Sequence, residues 1–461
     1  MAEGIEHIGK KSVAWSYTSV FFSVGAGLIL LPFILHSMSA ETVAIWNIFQ
    51  AIYAFTALLD FGFRPSFARN LSFIFSGVDR FTVNGVEQPK NHDINYTLLK
   101  DTLQAMKIFY RCAAVLVFVL LISIGTWYFV QLMDKYNGDK QDAIAAWILL
   151  SAINCYNIYT LYYDSLLTGK GYITQLQKIT ILGQVIYIFV AIALISFGMK
   201  LSAIVLSQAL SVVVKRVLSY RVFYNADMRR HLSKVACKAP NDVLRTIAPN
   251  AVKVGLTSFG SYVINRSAIF MGSIYLSLDL MAQYGICAQI LDIMARCGTM
   301  LFVTFSPKIA QWRSERDLRS IRRIYYYSVA SLVIIYVVGG AALLLIGDPL
   351  LDLIGSETRL LPAHLLMLML LINLLEQNHG IAAGFIQADN RIPFFIPSIL
   401  SGIATVLLLW LMLGYWHMGL IGMILAPGLA QIVYQNWKWP LMVMREIGII
   451  GSTKSVTTKA S

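Results

Sequence analysis

Charged residues inside two long apolar segments are the first candidates for chemistry in this sequence. Arg266 lies in the apolar segment 249–276, and Asp292 and Arg296 lie in the next one, 280–305. A charge at the centre of a bilayer costs at least ~2.5–3.5 kcal/mol, so an intramembrane charge marks either a pathway or a paired structural site. A guanidinium group offers a planar fork of donors that suits phosphate oxygens.

The depths of these three residues favour a cluster. With a helical rise of about 1.5 Å per residue, Arg266 and Asp292 fall near the bilayer midplane in two antiparallel helices. Arg296 follows Asp292 by four residues and shares its face, one turn closer to the cytoplasm. The cluster either locks two helices together or leaves a net positive charge that water or an anionic ligand reaches. Lys253, near the cytoplasmic mouth of the same helix as Arg266, either extends this basic track or snorkels to the interface.

Weaker candidates for ion coupling or gating lie in other predicted helices. Asp60 and Arg64, four residues apart, are expected to pair with each other, and Asp164 lies near the inner end of the fourth predicted helix. Glu376 and His379 share one side of the tenth predicted helix, where they form either a proton relay or a satisfied polar pair between helices.

Two other basic residues are candidates for a structural role, and the sequence lacks two common enzyme motifs. Lys215 and Arg216, near the inner end of the sixth predicted helix, are expected to act as interfacial anchors. The sequence contains neither a phosphate-cradling glycine loop followed by Lys-Ser/Thr nor a His-Glu-x-x-His spacing. We therefore expect no catalytic residue, no metal site, no resident cofactor and no ATP hydrolysis by this chain.

The composition sets the class of protein that must position these residues. Of 461 residues, 57% are hydrophobic and 13% charged, with a mean hydropathy of +0.65, whereas soluble chains carry about 25% charged residues. The apolar residues form runs of about 20 or more, the length that crosses a ~30 Å hydrocarbon core. The sequence thus predicts an all-α integral membrane protein of about 12 transmembrane helices. The predicted spans are 13–37, 43–63, 108–132, 143–168, 176–198, 201–222, 249–276, 280–305, 325–346, 360–388, 394–414 and 420–443.

The placement of the basic residues predicts the orientation. The formal net charge is +13, and lysines and arginines concentrate in alternate loops, as the positive-inside rule expects. Both termini are therefore predicted to be cytoplasmic, which agrees with an even number of spans. This distribution favours contact with membrane lipids and argues against nucleic acid as a partner.

The connectors predict two six-helix bundles. The first covers 1–222 and includes a cytoplasmic insertion at about 64–107, a basic linker follows at 223–248, and the second bundle covers 249–461. Within the insertion, alternating residues around Asn-Gly at 80–87 predict a small β-hairpin, interpreted as a surface feature.

A short internal match supports the duplication. The pattern Phe-x-Pro-x-x-Ala begins at Phe63 after the second span and at Phe305 after the eighth. Both copies lie at the predicted cytoplasmic end, which favours a parallel repeat.

The first seventy residues resemble a known transporter family. They include Gly-Ala-Gly-Leu-Ile-Leu-Leu-Pro-Phe-Ile-Leu at 25–35, Glu-Thr-Val-Ala-Ile-Trp-Asn-Ile-Phe at 41–49 and Leu-Leu-Asp-Phe-Gly-Phe-Arg-Pro-Ser-Phe-Ala-Arg at 58–69. This stretch is similar to the opening of Wzx-type polysaccharide transporters, the O-antigen flippases of the MATE-like MOP superfamily. The predicted helix number and termini fit that family over the whole chain.

The resemblance implies a function. Members move an undecaprenyl-pyrophosphate-linked oligosaccharide to the outer leaflet of the bacterial inner membrane, through a central cavity between two halves. They use H⁺ or Na⁺ gradients rather than ATP, and work beside other polysaccharide assembly proteins. Arg266 and Arg296 would lie in the half where cavity charges are expected.

Two alternatives remain open. A cation-coupled multidrug exporter of the same superfamily would have a more acidic, aromatic cavity, for which Asp60, Asp164 and Glu376 are candidates. A membrane glycan polymerase or ligase would need a sizeable outer loop with catalytic residues, whereas the longest predicted outer loops here have about ten residues.

Overall fold

The computed structural model describes residues 10–78, 81–82, 85–86, 94–315, 317–388, 391 and 393–450. Contacts divide the chain into two compact units, Met1–Phe259 and Gly260–Ser461, and the division falls within one long helix. Each unit is helical, apart from one two-stranded hairpin in the first.

The helices of the first unit begin near the start of the described chain and end in the shared helix. They are α1 Lys10–Ser37, α2 Ala40–Leu58, α3 Phe63–Phe75, α4 Tyr96–Leu120, α5 Thr126–Lys135, α6 Lys140–Tyr159, α7 Tyr162–Gly169, α8 Ile173–Ser196, α9 Leu201–Phe223, α10 Ala226–Ser233 and α11 Pro240–Tyr275. A π-helical turn, Leu121–Gly125, joins α4 to α5 without interrupting the helix.

The second unit continues from α11 with six further helices. They are α12 Leu278–Glu315, α13 Leu318–Leu353, α14 Ala363–Gln387, α15 Phe395–Leu409, α16 Gly419–Ile432 and α17 Gln435–Glu446. A second π-helical segment, Trp410–Tyr415, extends α15.

Each predicted span coincides with a helix or a helix pair. Among the described residues, eight helices are long and apolar enough to cross a membrane, and the bent pair α2–α3 makes a ninth. Their outer surfaces are apolar as well. On α13, for example, Ile334, Val338 and Leu345 are exposed while Leu332 and Tyr336 are buried. Exposed apolar side chains along a helix of this length are expected where the surrounding solvent is lipid.

The predicted hairpin is confirmed. Strands β1 Phe81–Thr82 and β2 Gly85–Val86 pair antiparallel, with Phe81 opposite Val86. The turn residues 83–84 lie outside the described residues.

A break between α2 and α3 shapes the first unit. The two helices are bent by 42°, and the connecting residues Phe61 and Gly62 adopt positive φ values of 45° and 70°. Helix α11 packs against this break at Gly255, where a β-carbon would lie 2.5 Å from the Cα atom of Phe61. A glycine at 255 is thus what allows the two backbones to meet.

This contact gives a first testable prediction. Gly255→Ala places a methyl group against backbone that cannot rotate away, and we expect a loss of about 1–3 kcal/mol in unfolding free energy. Gly380→Ala in α14 is the matched control, because nothing lies within 4 Å of its β-carbon position. Thermal unfolding of the purified variants in detergent measures both effects. Equal stability of the two variants would contradict the close approach.

Candidate functional site

A polar cavity lies inside the second unit, between α11, α12, α14 and α16. Its volume is about 60 Å³, enough for a few water molecules, since one water needs about 10–15 Å³ measured in this way. The polar lining consists of Asn265, Arg266, Tyr284, Asp292, Asn373 and Glu376. Charged groups in such a small cavity interact strongly, because little water screens them.

Arg266 and Asp292 form an ion pair in the lining of this cavity. Nη2 of Arg266 donates to Oδ2 of Asp292 at 2.5 Å, and their side chains are 28% and 41% exposed. The structure therefore joins the two residues that the sequence places at similar depth in neighbouring helices.

Arg296 does not join this pair. The Arg296 side chain is exposed and, within the described part of the chain, it forms no ion pair. Lys253 lies in α11, but its side chain is outside the described residues. The guanidinium group of Arg266 is thus neutralised by Asp292. The guanidinium group of Arg296, four residues after Asp292 on α12, is exposed.

Glu376 faces the cavity, where Arg266 pairs with Asp292 and not with Glu376. The side chains of Asn265 and Gln431 lie beside its carboxylate. Tyr336 donates a hydrogen bond to Oδ1 of Asn373, which fixes another part of the lining. Glu376 is therefore a carboxylate in a small polar cavity, where it can hold or release a cation.

His379 is separated from this arrangement. Its Nδ1 atom is 2.9 Å from Oδ1 of Asn436, on α17, and it is not among the residues that line the cavity. The structure gives Glu376 and His379 different partners and does not bring them together as a relay.

In the first unit, the prediction that the side chains of Asp60 and Arg64 pair with each other is wrong. Asp60 instead accepts hydrogen bonds from the backbone N–H of Arg64, at 3.0 and 3.1 Å, and from the hydroxyl of Tyr110. The physical reason is the helix break: Asp60 precedes the first turn of α3, where free backbone N–H groups favour a carboxylate.

The Arg64 side chain turns towards Asp164 instead. Its Nη1 atom lies 3.9 Å from Oδ2 of Asp164, and 54% of the side chain is exposed. Arg216 holds the same carboxylate more closely, with Nη1 2.6 Å from Oδ1 and its side chain 8% exposed. Nη2 of Arg216 also donates to Oδ1 of Asn157 at 2.9 Å. Two arginines thus share one aspartate, and the more distant arginine is the exposed one.

The role expected for Arg216 is therefore wrong. It is a buried structural partner and not an interfacial anchor. The signal that would have found it is helical spacing: Val212 and Ser219, four residues before it and three after it, are also buried, and residues at this spacing share one helix face. Arg216 thus belongs to the packed face of α9.

Loss of this buried pair is expected to be costly. Arg216→Gln leaves the Asp164 carboxylate with only a distant partner, and breaking a buried ion pair costs about 3–5 kcal/mol. Arg221→Gln, an exposed position on the same helix, should change the unfolding free energy by no more than about 0.5 kcal/mol. Denaturation in detergent micelles measures both variants. The double variant Asp164→Asn, Arg216→Gln should recover part of the loss, and no recovery would contradict the pairing.

Comparison with known proteins identifies the fold. No protein-family model matches this sequence, and no curated protein sequence matches it either. Among solved structures, it is similar to an inward-facing multidrug-resistance MATE family transporter of the MOP superfamily, with a TM-score of 0.62 and 14% identity over 98% of both chains. It is also similar to the lipid II flippase MurJ in an inward closed conformation, with a TM-score of 0.57 and 12% identity over 95% of this chain and 87% of that one.

These likenesses confirm the fold expected from the sequence. The protein is a multi-pass membrane protein with a MATE-like fold, the fold shared by these two transporters. Identities this low define the architecture, and the function has to be argued from the sites.

Proposed function

We propose that this protein is a flippase that moves an undecaprenyl-pyrophosphate-linked oligosaccharide across the bacterial inner membrane by alternating access. The cargo is a repeat unit of O-antigen or of another surface polysaccharide, and the work is done by conformational change without a catalytic residue. Two proteins of similar structure support this proposal, since one is a MATE family transporter and the other is a lipid II flippase.

The observation that carries the proposal is the state of the charges in each unit. In the first unit, Asp164 is held by Arg216 while Arg64 is exposed. In the second, Asp292 is held by Arg266 while Arg296 is exposed. Each unit therefore has one arginine that holds an aspartate and another whose guanidinium group is exposed. Guanidinium groups bind phosphate oxygens well, so a diphosphate is the ligand that suits them.

The size of the cavity in the second unit separates cargo binding from coupling. A space of about 60 Å³ admits water or a small cation and excludes an oligosaccharide. We therefore assign ion coupling to the cavity that Asp292 and Glu376 line. We assign recognition of the diphosphate separately to Arg64 in the first unit and to Arg296 in the second. The coupling ion in this proposal is H⁺ or Na⁺, and a gradient supplies about 2.3 kcal/mol per charge for each 100 mV.

Reconstitution tests this function directly. Purified protein in liposomes should accelerate movement of a fluorescent polyprenyl-diphosphate oligosaccharide between leaflets, measured by quenching from outside. It should not accelerate a neutral glycolipid of the same chain length, because the arginines recognise the diphosphate. Equal rates for the two lipids would contradict the assignment of Arg64 and Arg296 to the cargo.

A cation-coupled multidrug exporter is the second candidate. The carboxylates of Asp292 and Glu376 beside Tyr284 in the same cavity favour it, as does the MATE transporter neighbour. Efflux of a cationic dye from proteoliposomes, with no effect of replacing Arg64 or Arg296, would favour this function over the flippase.

A further inference from the structure

Three arginines from separate segments of the second unit meet at the end of α17. Oε2 of Glu446 accepts from Nη1 of Arg313 at 3.2 Å and from Nη2 of Arg391 at 3.0 Å. Arg322 donates through Nε and Nη2 to the backbone oxygen of Ile447, at 3.0 and 2.7 Å. We call Arg313, Arg322 and Arg391 the arginine cluster.

The arginine cluster contains buried donors, on Arg313, that have no acceptor among the described residues. The Arg313 side chain is only 11% exposed, and its Nε and Nη2 atoms are buried without a hydrogen-bond partner in the described part of the chain. A buried donor without an acceptor is unfavourable, and a charged one more so. Arg322 and Arg391 are exposed, so a ligand can reach the rim of the cluster.

The charges in the cluster favour an anion. Three guanidinium groups converge here: Arg313 and Arg391 both contact the Glu446 carboxylate, and Arg322 donates to a carbonyl oxygen. An anion with several oxygens can accept from donors that are arranged in this way, and phosphate is the group whose geometry matches guanidinium forks.

The position of the cluster indicates where such a phosphate would come from. Arg313 and Glu446 lie at the ends of α12 and α17, and Arg391 follows the end of α14. These ends are on the side predicted to be cytoplasmic. A membrane surface that contains anionic lipids attracts basic groups at this depth. We propose that the arginine cluster binds the phosphate group of an anionic ligand at the membrane surface, either a lipid headgroup or free phosphate, and that this stabilises the second unit.

A simple structural clamp would show the same contacts but respond differently to one substitution. If Glu446 is the intended partner of the arginines, Glu446→Gln removes their counter-charge and gives nothing in return. If phosphate is the ligand, Glu446 competes with it, and Glu446→Gln should bind phosphate more tightly. A clamp therefore predicts a lower unfolding midpoint for Glu446→Gln with no gain in phosphate binding, whereas a phosphate site predicts tighter phosphate binding by this variant.

The experiment uses the full chain in an uncharged detergent and measures the midpoint of thermal unfolding. Short-chain phosphatidylglycerol is titrated, with phosphatidylcholine of the same chain length as the uncharged comparison and inorganic phosphate as a third arm. A ligand that binds only the folded state stabilises it by RT ln(1 + L/Kd), where L is the free ligand concentration, so the midpoint rises with ligand concentration and reports the Kd. We expect phosphatidylglycerol to raise it, and Arg391→Gln to weaken the apparent affinity about tenfold.

The matched control is Arg323→Gln, an exposed arginine next to Arg322 in sequence that removes the same charge outside the cluster. It should leave the affinity unchanged, and Glu446→Gln should increase it. A shift from inorganic phosphate with the same dependence on Arg391 would support the site and assign it to free phosphate. The proposal is overturned if neither anion shifts the midpoint, if the two arginine variants lose affinity equally, or if Glu446→Gln weakens binding.

Discussion

Replacing Arg64 and Arg296 together by glutamine is expected to lower the rate of oligosaccharide flipping by about 100-fold or more. Each exposed guanidinium would lose a charge-assisted hydrogen bond to the diphosphate, about 1.5–3 kcal/mol, and each 1.4 kcal/mol is a factor of about ten. The measurement is the flipping rate of the fluorescent polyprenyl-diphosphate lipid in proteoliposomes.

The double variant should remain folded, because both side chains are exposed and neither holds its aspartate closely. Arg319→Gln, Arg323→Gln is the control that removes the same charge from the start of α13, where both arginines are also exposed. It should flip as well as the parent protein. If the Arg64/Arg296 variant also moves the lipid at the parental rate, the cargo does not bind these arginines. The exposed arginines would then no longer support the proposal of a flippase.

Much of the fold was predictable because bilayer-spanning helices are long and apolar. The physical requirement that the backbone be hydrogen bonded within lipid leaves helices as the natural reading of such runs. What the apolar pattern did not show is where helices break. The bend at Phe61–Gly62 and the interruption between α16 and α17 at Val433–Tyr434 both occur within predicted spans, because hydropathy is insensitive to backbone direction.

Contacts in the candidate site were predictable only between residues that lie at the same depth of the membrane in neighbouring helices. Arg266 and Asp292 lie in neighbouring antiparallel helices at one depth, and the structure pairs them. The four-residue spacing of Asp60 and Arg64 predicted a side-chain contact that does not form, because the helix breaks between these two residues. The Asp60 carboxylate accepts from the backbone N–H of Arg64 instead.

The cavity in the second unit could not be predicted from the sequence, for a different reason. Its lining comes from four helices, and residues such as Asn265 and Asn373 carry no charge that would single them out in an apolar segment. A polar amide becomes informative only when the packing shows which carboxylate it faces.

The cavity also leads to the second large prediction, which concerns Glu376. Arg266 already neutralises Asp292 there, so Glu376 is the carboxylate whose charge a bound cation would compensate. Glu376→Gln keeps the size and hydrogen bonding of the side chain but cannot bind H⁺ or Na⁺. We therefore expect this variant to flip its cargo at a rate independent of an imposed ion gradient, with the gradient-driven acceleration of the parent protein lost.

His379→Gln is the matched control for this experiment, because His379 lies on the same helix but hydrogen bonds to Asn436 outside the cavity. It should retain the acceleration, and the measurement is the ratio of flipping rates with and without a pH or sodium gradient. The two variants together locate the coupling site: loss in Glu376→Gln alone assigns it to the cavity, whereas loss in His379→Gln alone would assign it to the contact between α14 and α17. If both variants respond to the gradient as the parent does, coupling lies in the first unit, where Asp60, buried and bonded to Tyr110, is the next carboxylate to test.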